Sequence, residues 1–158
     1  MQVIHRDSFD NGVLLFLKQY EHKEGTFLQI EFVHKTWLGW KWVMGGGYGL
    51  SNRLGLDEAL NYMSMPKFKG IEGPYPIVFG QITNSTITNV IVTISGEDAG
   101  KYSAKLIEYG AGQRLWYVVL PSSASAPYEI EAISGDGVKV ASRSFEDSRD
   151  FASVLMSN

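Results

Sequence analysis

Thr36-Trp37-Leu38-Gly39-Trp40-Lys41-Trp42-Val43-Met44 runs directly into Gly45-Gly46-Gly47-Tyr48-Gly49. Three of the four tryptophans fall within six residues, and four of the five residues after Met44 are glycine. Side chains alternate across an extended strand, so period two puts Trp40, Trp42 and Met44 on one face and Trp37, Gly39, Lys41 and Val43 on the other. The first face reads as core. On that reading, Trp42→Ala is expected to cost roughly 3–5 kcal/mol, the usual loss for a buried aromatic. The glycine run reads as a flexible or positive-φ connection leaving the strand, since glycine alone adopts such angles freely.

The strand has neighbours upstream. Residues 12–20 are apolar on both parities, as in a strand covered on both faces. Residues 26–34 alternate, with Leu28, Ile30 and Phe32 inward and Gln29 and Glu31 outward. His22-Lys23-Glu24-Gly25 between them reads as a hairpin loop. The first fifty residues are therefore expected to form an antiparallel meander, which needs a cover. Leu56, Leu60 and Met63 recur at helical spacing behind Asp57-Glu58, which predicts one short helix near 56–64 as that cover.

Pro66, Gly70, Gly73, Pro74 and Pro76 make 66–76 the expected link between a first module, 1–65, and a second, 77–143. The second is all strand by pattern: 77–83, 87–94, 102–109, 114–120, 128–133 and 138–141, separated by Gly-, Asn-, Ser- and Pro-rich turns. Val90, Val92 and Ile94 oppose Asn89 and Thr93, and Tyr128, Ile130 and Ala132 oppose Glu129 and Glu131. Many short alternating strands predict a β-sandwich. In the tail, 144–158, Phe151, Val154 and Leu155 read as a short helix or a frayed end. The fold class expected is mainly β, a meander with one short helix followed by a sandwich.

Composition excludes several functions. The chain has 158 residues, 44% of them apolar and 13% aromatic, which is enough to bury a core. Its longest apolar runs, Val13–Leu17 and Leu115–Leu120, fall far short of the roughly 20 residues that cross a bilayer as a helix, so no spanning segment is expected. Residues 1–73 carry eight Lys/Arg and eight Asp/Glu, and residues 74–158 six and nine. Neither half offers the clustered cations that displace counterions from phosphates, so nucleic acid is not an expected partner. With no cysteine, thiolate catalysis and thiolate metal sites are absent.

Chemistry-bearing patterns are sparse. No Lys-Ser/Thr pair follows Gly49, so the glycine run is not a phosphate loop. His5, His22 and His34 lack metal-ligand spacing, and Glu97, Asp98 and Asp136 lack that of a calcium loop. Ser51, Ser64 and Ser122–Ser125 lack a nucleophile-elbow context. No catalytic residue, metal or cofactor is therefore expected, and the chain reads as a non-enzyme. A hydrolase assembled only in three dimensions is the alternative. If a ligand site exists it should be lined by Trp37 and Lys41, the aromatic and cationic residues of the less apolar parity, and by Tyr48 folded back across the glycine run. Such a surface would take a carbohydrate, with indoles stacking on sugar C–H faces; the rival is a protein partner paired through sheet edges.

Two resemblances extend this reading. Residues 75–142, most of all Pro127-Tyr128-Glu129-Ile130-Glu131-Ala132-Ile133-Ser134-Gly135-Asp136-Gly137-Val138, resemble the penultimate strand, turn and last strand of a bacterial immunoglobulin-like or fibronectin-III-like module. That resemblance implies an immunoglobulin-like sandwich with Tyr128 as a tyrosine corner. Lys35-Thr36-Trp37-Leu38-Gly39-Trp40-Lys41-Trp42 resembles small envelope proteins of Gram-positive bacteria, which implies an extracytoplasmic location, its signal peptide removed, and no particular activity; the expected function is that of a binding or interaction protein.

Overall fold

The computed structural model describes residues 1–9, 12–21, 25–50, 57–110 and 112–157. These form β1 (Gln2–Phe9), β2 (Gly12–Glu21), β3 (Gly25–Thr36), β4 (Gly39–Leu50), β5 (Glu58–Met65), β6 (Ile77–Ile82) and β7 (Ile87–Ile94). The chain continues through β8 (Gly100–Ser103), β9 (Lys105–Glu108), β10 (Arg114–Val119), β11 (Tyr128–Ser134), β12 (Lys139–Phe145) and β13 (Phe151–Leu155). Among the described residues there is no helix, so none is long and apolar enough to cross a membrane. The chain divides into two compact units, Met1–Leu54 with Phe68–Pro74, and Gly55–Lys67 with Tyr75–Asn158.

The first unit is an antiparallel meander in the order β1-β2-β3-β4. One face is closed: Leu28, Ile30 and Phe32 are buried at the positions their alternation predicts, and Leu14 and Phe16 of β2 are buried with them, whereas Val13 and Leu15, on the other face, expected to be covered too, are only half-buried. Lys18 shares that face, only 3% exposed, and burial lowers the pKa of its ammonium. The expected loop at His22, Lys23 and Glu24 lies outside the described residues.

In the second unit a five-stranded sheet, β13-β5-β6-β10-β9, and a four-stranded one, β12-β11-β7-β8, share a single core. Leu60, Tyr62, Val78 and Trp116 from the first sheet meet Val90, Val92, Ile130 and Ala141 from the second, making a β-sandwich. The extended run from Gly100 to Glu108 serves both sheets. Its first half pairs with β7, Ala104 still donates to the Val90 carbonyl at 2.8 Å, and from Lys105 onward it pairs with β10.

Two expectations are corrected here. The predicted cover helix near 56–64 is strand β5 over its described part, and it pairs with β6 and β13 in the second unit. Ala59–Tyr62, Ser64 and Met65 are all buried, and a strand buried on both faces yields the same i, i+4, i+7 apolar spacing by coincidence. The tail is also ordered as strand. Ala152, Val154 and Met156 pack on the core at period two, whereas the helix reading grouped Val154 with Phe151 and Leu155, which are exposed.

What holds β5 is a local interlock. Leu60 pairs with Ile82 and Met63 with Phe79, but between them the ladder opens. The Asn61 side-chain oxygen accepts the Gln81 N–H at 3.0 Å, and the Asn61 carbonyl accepts the Trp116 indole N–H at 3.1 Å. Trp116 is opposite Gly80 in the register, so the indole reaches β5 across a residue with no side chain. A second clamp joins the sheets. The Tyr62 hydroxyl donates to Asp150 Oδ2 at 2.5 Å and accepts from Arg143 Nε at 2.9 Å, while its ring stacks on Phe145. Tyr128 meets Phe145 edge-on, but its buried hydroxyl has no hydrogen-bond partner, so the backbone bond that defines a tyrosine corner is not made.

Two outcomes follow. A Cβ at Gly80 would lie 1.8 Å from the Asn61 carbonyl oxygen, backbone that cannot step aside, so Gly80→Ala should destabilise the sandwich by at least about 3 kcal/mol in chemical denaturation. Burial raises the pKa of the Tyr62, Tyr75 and Tyr128 phenols. A raised phenol binds its proton more tightly folded than unfolded, so the associated stability is complete below the ordinary phenol pKa near 10 and is lost as pH climbs above it. Denaturation midpoints should hold steady below that pH and fall above it, in step with tyrosinate absorbance.

Candidate functional site

β3 and β4 form the longest hairpin of the chain, and its turn is tighter than the sequence suggests. Thr36 pairs with Gly39, leaving Trp37 and Leu38 as the turn residues. Thr36 Oγ1 accepts the Leu38 N–H at 3.3 Å and donates to the Gly39 carbonyl at 2.8 Å. Gly39 sits at φ +120°, an angle that costs an L side chain dearly, which is why the chain resumes its strand at a glycine. Trp37 therefore does not lie on a strand face. It projects at the tip with 93% of its surface exposed, beside Leu38 at 80%.

Beyond the turn, pairing runs Lys35 to Trp40, His34 to Lys41 and Val33 to Trp42, and then slips, because Phe32 pairs with Met44. Val43 is the extra residue of a β-bulge. An extra residue moves everything beyond it to the opposite face. Directly opposed residues share a face, so Met44, Gly46 and Tyr48 lie with buried Phe32, Ile30 and Leu28, and Trp40 and Trp42 lie outward with Lys35 and Val33. The expected inward parity of Trp40 and Trp42 is therefore wrong for both tryptophans and right for Met44. Their indoles are 60% and 57% exposed.

The outward face continues past the tryptophans as Glu31, Gln29 and Phe27 of β3, opposite Gly45, Gly47 and Gly49 of β4. These glycines are strand, not a flexible connection. Space explains two of them: a Cβ on Gly47 would lie 2.8 Å from Phe27 Cε1 and 2.5 Å from the Leu28 carbonyl oxygen, and one on Gly45 would lie 3.1 Å from Glu31 Cγ. Side chains of β3 thus lie flat over β4. Gln29 Nε2 donates to Glu31 Oε1 at 2.8 Å, holding an amide and a carboxylate next to the indoles.

The three site residues named from sequence are not brought together. Trp37 is at the tip, Lys41 is exposed on the opposite face from Trp40 and Trp42, and Tyr48 is only 6% exposed on the closed face. What the fold assembles is Trp40, Trp42, Lys35, Glu31 and Gln29. The outward parity of Gln29 and Glu31 was readable; the bulge that sets the tryptophans beside them was not. Among the described residues no group of three or more His, Asp or Glu is placed to hold a metal ion.

The bulge reverses the expected effect of truncation: Trp42→Ala should shift the unfolding free energy by less than about 1 kcal/mol, as for other surface positions. Chemical denaturation of that variant beside Trp116→Ala, whose indole is wholly buried, separates exposed from core tryptophan. Compared with family models, with curated proteins and with solved structures, the chain matches none.

Proposed function

We propose that this chain is a non-catalytic, extracytoplasmic binding module that holds a neutral polysaccharide or wall glycan on the outward face of the β3–β4 hairpin. The observation that carries the reading is the pair Trp40 and Trp42, more than half exposed and two residues apart on one face. Indole is costly to leave in water, and its flat apolar surface is complementary to the C–H faces of sugar rings. Two residues along a strand span roughly 7 Å, so the indoles offer adjoining platforms to an extended ligand. Lys35, Gln29 and Glu31 provide donors and acceptors for hydroxyl groups alongside. Opposite charges on Lys35 and Glu31 favour no strongly charged ligand.

An immunoglobulin-like second unit belongs to the same proposal. What supports it is strand order: β5-β6-β10-β9 facing β12-β11-β7 follows the A-B-E-D and G-F-C arrangement of such domains, with β8 added beside β7 and β13 beside β5. The envelope location rests on the resemblance of the Lys35–Trp42 stretch.

Titrating the full chain with neutral polysaccharides and solubilised wall glycans, read by tryptophan fluorescence and by calorimetry, tests the reading. Trp40→Ala and Trp42→Ala should each weaken binding about tenfold or more, the equivalent of roughly 1.4 kcal/mol per stacked ring. Tyr48→Phe should leave it unchanged. Binding that survives the loss of both outward tryptophans, or no binding across the panel, overturns it.

A further inference from the structure

Among the described residues β4 has a paired neighbour on one side only, and its other edge is unlike the other strand edges described. The opposite border of the same sheet, β1, is broken by a register shift between Val3 and His5 and carries Arg6 and Asp7. In the sandwich, β8, β9 and β12 carry lysine, arginine or glutamate, and five-residue β13 has a register shift of its own. These are the usual protections against edge-to-edge pairing. β4 has twelve residues, and from Trp42 to Leu50 not one is charged. Its bulge at Val43 leaves Met44–Leu50 in unbroken register.

The segment is also symmetric. Met44-Gly45-Gly46-Gly47-Tyr48 places one large side chain at each end of three glycines, with Gly46 at its centre. We infer that β4 is a homodimerisation edge, pairing antiparallel with β4 of a second copy of this chain about Gly46. In that register Gly46 faces Gly46, Gly45 faces Gly47, and Met44 faces Tyr48 twice, which is the self-complementarity a two-fold interface demands. Each Met44–Tyr48 pair sets a thioether against an aromatic ring on the closed face, a favourable contact. The glycines present no side chain that would hold the two backbones apart, and no like charges meet. A heterologous strand would need none of this symmetry.

Sedimentation velocity and light scattering of the full chain across the micromolar range read the oligomeric state. Gly49 is the position to perturb, because a Cβ there meets nothing within 4 Å and the fold is spared. Wild type and Gly49→Ala should dimerise, whereas Gly49→Lys, which puts on this edge the kind of charge that blocks edge-to-edge pairing, should raise the dissociation constant at least tenfold. The chain has no cysteine, so a nitroxide on Gly49→Cys is site-specific. Two labels six residues out of step in the antiparallel pair should lie roughly 20 Å apart, against about 5 Å for a parallel one. A monomeric wild type, a dimer indifferent to Gly49→Lys, a dimer lost in the Trp37→Ser, Leu38→Ser tip variant, or the short distance would each overturn the inference.

Discussion

One extra residue governs the outward surface of the first unit. Because side chains alternate strictly along a strand, the single slip at Val43 divides β4 into two halves of opposite sense: Met44 and Tyr48 close the core, and Trp40 and Trp42 face water. Removing the bulge would force a choice. Either two indoles would have to enter the closed face at the turn end of the hairpin, or Met44 and Tyr48 would have to leave it, and each exchange moves large apolar area the wrong way. Gly45 and Gly47 serve the same arrangement by letting Phe27 and Glu31 lie across β4.

The sandwich depends on a different device, the substitution of side-chain for backbone hydrogen bonds. Asn61 opens the β5–β6 ladder, yet its own amide satisfies Gln81 while its carbonyl receives the Trp116 indole. A buried indole N–H without a partner would cost about 1–3 kcal/mol, so the gap in one ladder satisfies a donor two strands away. Tyr62, on the same strand, then ties the five-stranded sheet to Arg143 of β12 and to Asp150 just before β13. These contacts account for the behaviour of the chain ends of this unit: β5 and β13, separated by some ninety residues of sequence, are held as neighbours by polar contacts that neither segment reveals alone.

Much of this was legible in the residues. Alternation in 26–34, 87–94 and 128–133 gave the inward faces correctly, because those strands have one wet side and one dry side. β5 failed that test for a physical reason: a strand flanked on both sides and buried on both faces has no alternation to read, and its apolar positions then fit a helix equally well. The tail misled in the opposite way, since exposed Phe151 and Leu155 masked the true period of Ala152, Val154 and Met156. For the site, the tryptophan cluster drew notice at once, but a bulge leaves no mark in a run whose residues all suit a strand. Parity counted through it from Met44 assigns Trp40 and Trp42 to the wrong face, and Trp37, counted into the strand, belongs to the turn.

The two surfaces proposed on β4 use different atoms of one strand, the outward indoles in one case and the edge backbone in the other, so neither excludes the other. Their geometry adds something neither has alone. Antiparallel strands in one sheet are related by a two-fold axis normal to the sheet, so a pair joined about Gly46 keeps both outward faces on the same side. Trp42 of each copy would then stand eight residues out of step, roughly 27 Å apart along the strand direction, on one continuous eight-stranded surface. A polysaccharide repeats its binding unit along its length. It can occupy both platforms at once, and the second contact is then intramolecular, which raises avidity without any new side chain. Two weak stacking sites on a rigid sheet are sufficient for firm attachment to a repeating ligand and insufficient for a short one, so on this geometry chain length is what the dimer discriminates.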